Sequence, residues 1–141
     1  MEHLITQKII GAAIEVHRRL GPGLLESTYE MCLAQEFEFQ NIPYERQRSY
    51  PITYRGVILE SGCRIDFLVE GKIVVEIKAV ESLSAIHVAQ LLTYLRLLDI
   101  QKGLLLNFNV PTLKEGIKRV SNEKRKNLES SATPAFSVPL R

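Results

Sequence analysis

The segment RIDFLVEGKIVVEIKAV, residues 64–80, constrains the fold more than any other stretch of the chain. Two runs rich in β-branched residues flank Glu70-Gly71-Lys72, which reads as a β-hairpin. Alternation sets Ile65, Phe67 and Val69 on one face of the first strand, and Ile73, Val75 and Ile77 on one face of the second. Those two apolar sets share a face only if the loop is odd, with three or five residues around Gly71; a two-residue turn would separate them. The odd loop makes Asp66 and Glu76 direct cross-strand neighbours, on a face with Arg64, Leu68, Val74 and Lys78. Facing carboxylates repel, by up to about 1 kcal/mol where exposed and by more where buried.

Two readings account for these acids. In the first, Asp66 pairs diagonally with Lys78 and Glu76 with Arg64, giving an ordinary charged outer face. That explains the signs but leaves Leu68 and Val74 on the same face, which implies that something covers it and encloses the acids at the edge of a cleft. In the second, a divalent cation turns the repulsion into coordination. Two carboxylates and a backbone carbonyl are hard oxygen ligands that suit Mg²⁺, an ion that retains water. Lys78 on the same face can then orient a water and neutralise charge on phosphate. Spacing alone leaves both readings open.

The rest of the chain frames the hairpin. Over residues 3–20, Leu4, Ile5, Ile9, Ala12, Ala13, Val16 and Leu20 recur at spacings of three and four, which predicts a helix. Gly21-Pro22-Gly23 breaks it. A second helix is expected from about Leu24 to Gln40, with Leu25, Tyr29, Cys32, Leu33 and Phe37 inward, ending at Asn41-Ile42-Pro43. Three or four strands follow between Tyr44 and Val80. Ser82 or Ser84 can cap a third helix, Ala85 to Leu98, and GLLLNFN at 103–109 reads as a buried strand. A shorter element lies at LKEGIKRV. The order predicts an α/β fold of the α+β type, a central mixed sheet flanked by helices, in which the third helix crosses over to the strand at 103–109.

The chain has 141 residues, the length of one ordinary domain, with 45% apolar and 24% charged residues, which excludes a disordered polymer. Residues 1–122 are expected to form that domain, and 123–141 a basic to polar tail that is poorly ordered or pinned to a partner. No apolar run approaches the ~20 residues of a membrane helix. The polar start, MEHLITQK, carries no secretion signal, so a cytoplasmic location is expected. Cys32 and Cys63 lack metal-ligand spacing and read as reduced core residues. A net charge of +2 does not announce a nucleic-acid partner. Six basic residues between positions 114 and 126 (Lys114, Lys118, Arg119, Lys124, Arg125, Lys126) face two acids there, a solvated face or a phosphate track.

Asp66, nine intervening residues, then Glu76-Ile77-Lys78 resembles the D…(D/E)xK signature of the PD-(D/E)XK nuclease superfamily. Gly23-Leu24-Leu25-Glu26-Ser27-Thr28-Tyr29 resembles the GxxExxY motif of one branch, and Gln90-Leu91-Leu92-Thr93-Tyr94 the QxxxY element of exonuclease-like branches. The resemblance runs from about Ile10 to Val120, with Ile65 standing where the signature has proline.

The resemblance implies a restriction-endonuclease-like core and a metal-dependent nuclease that hydrolyses phosphodiesters, with DNA the expected substrate over RNA. It implies that Asp66, Glu76 and the carbonyl of Ile77 hold Mg²⁺ (or Mn²⁺), while Lys78 assists the attacking water. Glu26 is implied as an outer acid at the first turn of its helix, where the helix dipole favours a carboxylate in any case. Gln90 is implied to bind a phosphate or the attacking water, and Tyr94 to support Gln90 or touch the substrate. Tyr29 is read as core, its hydroxyl supporting the site. His17 and His87 are not assigned to metal, and Asn107 and Asn109 are read as structural. The basic residues at 114–126 gain a role on phosphates. A homodimer or partner protein is expected for cutting two strands. The rival is a non-catalytic module that keeps the cleft to bind nucleic acid or protein.

Overall fold

The computed structural model describes residues 2–122. The 123–141 tail, with Lys124, Arg125 and Lys126, lies outside the described residues. Helix α1 (Glu2–Leu20) and helix α2 (Glu26–Phe39) precede strands β1 (Tyr44–Tyr54), β2 (Val57–Val69) and β3 (Ile73–Lys78). Helix α3 (Ala85–Leu98), strand β4 (Lys102–Asn107), a 3₁₀ turn (Leu113–Gly116) and strand β5 (Ile117–Ser121) follow. The five strands form one sheet in the order β1-β2-β3-β4-β5. Only β3 and β4 run parallel, joined by α3, and every other neighbouring pair is antiparallel.

Helices cover both faces of the sheet. The α1 stripe of Ile5, Ile9, Ala13 and Val16 packs with Leu33 and Phe37 of α2 against Phe67, Val75, Ile77, Leu104 and Leu106. On the other face, Leu91 and Leu95 of α3 pack against Cys63, Ile65, Val74 and Leu105. Each large apolar side chain removed from water this way stabilises the fold by about 1.5–3 kcal/mol before entropy is counted. Close approach is required where α3 crosses β4, because a Cβ at Gly103 would meet the Leu91 side chain at 3.1 Å.

Three expectations need correction. Leu25 was expected inward, yet it is 73% exposed. Helix α2 begins at Glu26, and Leu25 is its extended N-cap residue, outside the helical stripe. Ile65 was expected to share a face with Phe67 and Val69. It packs under α3 instead, while Phe67 and Val69 face α1 and α2. The alternation changes phase at Asp66, where the β1–β2 ladder skips the pair Gln47/Asp66 between Arg46↔Phe67 and Arg48↔Ile65. The element at LKEGIKRV is a 3₁₀ turn followed by an edge strand rather than one short piece.

Candidate active site

The β2–β3 hairpin turns through three residues, Glu70 to Lys72, with Glu70 at φ 52° and Gly71 at φ 69°. Its ladder runs Val69↔Ile73, Leu68↔Val74, Phe67↔Val75 and then stops. Where Asp66 and Glu76 would pair next, their side chains take over. The Asp66 N–H donates to Glu76 Oε2 at 3.0 Å, and the Ile77 N–H donates to Asp66 Oδ2 at 2.8 Å. Within a strand, the N–H and C=O of one residue project toward the same edge, as paired residues of an antiparallel ladder exchange both bonds. The Ile77 carbonyl is therefore directed to the side on which Asp66 and Glu76 meet.

The site carries an excess of negative charge. Glu76 is 6% exposed; burial, and then the Asp66 charge beside it, push its carboxyl up to about 8 against an ordinary 4.5. The Asp66 N–H and the Lys78 ammonium oppose that rise. Burial also raises Asp66, the Ile77 N–H opposes, and the charges of Glu30 and Glu26 raise it further. Tyr94 and Cys63 are raised by burial first and by the Glu76 charge second, the Cys63 thiol to about 11. The field of Glu26 reaches Glu76 as well. Asp66 and Glu76 thus meet through hydrogen bonds, and the charges of Glu26 and Lys78 are felt there.

Local structure explains how each side chain is set. The turn before α2 needs left-handed backbone, at φ 73° for Gly21 and φ 102° for Gly23, which only glycine adopts at no steric cost. The buried Tyr29 hydroxyl donates to the Gly21 carbonyl at 2.5 Å and accepts from the Leu24 N–H at 3.1 Å. Its ring stacks on Phe108 with centroids 4.7 Å apart. The spacing G-x-x-E-x-x-Y therefore has a mechanical sense: the tyrosine, one turn into α2, fastens the turn that launches Glu26. Lys78 ends β3 and is half-buried, its carbonyl accepting from the Phe108 N–H at 2.9 Å. Just beyond, buried Asn107 holds Val80 twice, accepting from its N–H and donating to its carbonyl, each at 3.0 Å.

Other predicted residues stand apart. Gln90 is exposed on α3, and among the described residues no hydrogen bond ties it to the acids. His87 is spent on the start of α3, where its Nδ1 accepts from the Ser84 N–H at 3.0 Å. His17 is buried, with Nε2 2.8 Å from the Val110 carbonyl. Lys114, Lys118 and Arg119 are exposed, but Lys118 pairs with Leu105 and Arg119 with Leu104, so the two point to opposite faces of the sheet.

Glu30, Arg46 and Gln47 belong to the site and were not singled out in the sequence. Glu30 follows Glu26 by one helical turn and is 8% exposed. The Arg46 Nε lies 3.1 Å from Glu30 Oε2. The Gln47 amide donates to the same Glu30 oxygen and, at 3.2 Å, to Asp66 Oδ1. The one signal available was position, since Glu30 lies four residues after Glu26 on the same helical face.

The donor set can be weighed for a cation. Among the described residues no group of three or more His, Cys, Asp or Glu side chains is arranged to hold a metal. Two carboxylates and the Ile77 carbonyl remain, all hard oxygens around a buried acid that burial and a like charge destabilise. That set is too small for a fully protein-ligated ion and suits Mg²⁺, which is bound through one or two carboxylates and keeps several waters.

Among the described residues no helix is long and apolar enough to cross a membrane. No curated protein and no solved structure matches the chain. A family model described as the PD-(D/E)XK nuclease superfamily matches residues 3–120, which takes in every helix and strand but for the first residue of α1 and the last of β5. The five-stranded mixed sheet with its three helices is consistent with the restriction-endonuclease-like α+β fold of that group. On the strength of that match the chain belongs to the PD-(D/E)XK nuclease superfamily.

Proposed function

We propose that this protein is a Mg²⁺-dependent nuclease that hydrolyses phosphodiester bonds in DNA, and that it is of the GxxExxY branch. The observation that carries the reading is the pairing of half-buried Asp66 with buried Glu76 at the open end of the β2–β3 ladder, with Lys78 two residues beyond Glu76. Asp66, Glu76 and the Ile77 carbonyl would hold the ion. When bound, it supplies Lewis-acid stabilisation of phosphate charge and lowers the pKa of water.

The chain's own groups do the rest. Hydrolysis forms a bond from water oxygen to phosphorus and breaks the bond to the leaving sugar oxygen, which takes up a proton. The Lys78 ammonium orients the attacking water and neutralises charge that builds on the phosphate. Glu26 supports the reading as an outer acid because its charge is felt at both Asp66 and Glu76. Gln90 is exposed one turn before Tyr94 and is free to meet a substrate phosphate. Lys114 and Lys118, with the basic residues at 124–126, attract the phosphate backbone without reading sequence. A one-site domain that cuts both strands works as a homodimer or with a partner, and a cytoplasmic location suits such a substrate.

A labelled panel of single-stranded, duplex, flap and four-way-junction DNA and of RNA, incubated with Mg²⁺ or with chelator, tests this. Metal-dependent cutting of a DNA member is expected. Cutting that persists in chelator, or cutting of RNA alone, contradicts the reading.

A further inference from the structure

Gln47 occupies a position that costs backbone energy. Its φ is 53°, left-handed, a backbone conformation in which a non-glycine residue is strained. It sits at the register position opposite Asp66, and this is the pair that the β1–β2 ladder omits between Arg46↔Phe67 and Arg48↔Ile65. The ladder resumes in unchanged register, so the interruption is local. What the chain gains there is an amide aimed at two carboxylates: Gln47 Nε2 donates to Glu30 Oε2 and to Asp66 Oδ1. Both acceptors are oxygens of acids, so the amide nitrogen, with its two hydrogens, must be the end that faces them.

Asp66 is thereby held at both oxygens, Oδ1 by Gln47 and Oδ2 by the Ile77 N–H. Glu30 is held in turn by Arg46 at 3.1 Å, reaching across from β1 to α2. A bare Glu30 beside Asp66 would only repel it; the neutral amide between them converts a clash of like charges into a chain of hydrogen bonds. We propose that Arg46, Glu30 and Gln47 form a positioning relay that fixes the orientation of the Asp66 carboxylate for the metal, with Gln47 as the contacting member. The proposal rests on the reading of Asp66 as a metal ligand.

The relay predicts a dissociation between metal affinity and stability. Gln47→Gly removes the amide's two hydrogen bonds and also relieves the left-handed backbone, so its two effects on stability oppose each other and the melting temperature should shift little. Partners in the outer shell of a metal typically carry 10–100-fold in affinity, so Mg²⁺ binding by calorimetry should weaken by about 10-fold or more in this variant. Gln47→Glu, which sets a third charge against Glu30 and Asp66, should weaken it further or displace Asp66. Glu30→Gln keeps an acceptor for Gln47 and should lose less than Gln47→Gly. Thermal melting of each variant accompanies the titration. Wild-type Mg²⁺ affinity in Gln47→Gly overturns the relay while leaving Asp66 as a ligand. A wild-type protein that takes up no Mg²⁺ or Mn²⁺ overturns the metal reading and the relay together. A lowered melting temperature in Gln47→Gly with unchanged affinity makes Gln47 structural and also overturns the relay.

Discussion

Asp66 and Glu76 hold each other's strands: the Asp66 N–H donates to Glu76, and the Ile77 N–H donates to Asp66, at the point where the β2–β3 ladder ends. Each acid satisfies a backbone donor that the missing ladder bonds would otherwise leave open, so the pair closes the hairpin's open end while keeping two carboxylates together. The cost is electrostatic and depends on pH. Glu76 rises from 4.5 to about 8 in the fold, chiefly through burial, so the metal-free native state binds a proton that the unfolded chain releases. This contribution to stability is fully present below about pH 4.5 and is lost as pH rises through about 8. Urea midpoints of metal-free protein should therefore fall between about pH 5 and about pH 9, and Mg²⁺ should shrink that fall. A profile that does not decline would contradict the buried-acid assignment.

Tyr29→Phe removes the hydroxyl that fastens Gly21 to Leu24 and leaves both backbone groups without that partner. The expected loss is about 1–3 kcal/mol by equilibrium denaturation. Because the same turn launches Glu26, cleavage should decline more than stability alone explains.

Gly116 and Gly11 should respond to alanine in opposite directions. A Cβ at Gly116 would lie 2.0 Å from the Asn107 carbonyl oxygen, so backbone must move, and with it the residue that holds Val80 behind Lys78. Overpacking of this kind costs about 1–3 kcal/mol. Gly11 lies in α1 with nothing within 4 Å of its added Cβ, and alanine there should stabilise the protein by about 0.5–1 kcal/mol. Melting temperatures of the two variants check both signs.

Lys118 and Arg119 should differ as contacts to the nucleic acid. Glu76 pairs with Leu105 and Leu105 with Lys118, one row across the sheet, so Lys118 lies two strand spacings, roughly 10 Å, from the acid on the same face. Arg119 projects to the other face. Lys118→Ala should weaken binding and reduce the salt slope by about 1, whereas Arg119→Ala should leave the slope unchanged. Salt titrations of both variants by fluorescence anisotropy decide it; equal slopes would remove the distinction.

Local patterns and the crossover of α3 to the strand at 103–109 were legible, whereas the side-chain network around the acids was not. The α1 stripe apart from exposed Leu4 and Leu20, the bounds of α3 at Ala85–Leu98 and the odd length of the hairpin loop follow from periodicity and parity, which are properties of neighbouring residues. The change of phase at Asp66 falls where the pair with Gln47 across the sheet is omitted, and nothing within β2 announces it. Glu30 reads in sequence as one more acid on a helix; it is buried because Arg46 and Gln47, sixteen and seventeen residues on, close over it. Of the candidate site, the acids and Lys78 could be found from spacing, and the network that orients them could not.

The rate of DNA cleavage against Mg²⁺ concentration, for wild type beside Lys78→Ala, separates a lysine that acts on the attacking water from one that only ends a strand. Wild type should cut with a saturable dependence on Mg²⁺. Lys78→Ala should lose at least about 10²-fold in rate with its melting temperature retained, since a half-buried strand-end lysine contributes little to the core. Cutting by Lys78→Ala at the wild-type rate, or cutting by either protein without divalent metal, would contradict the account.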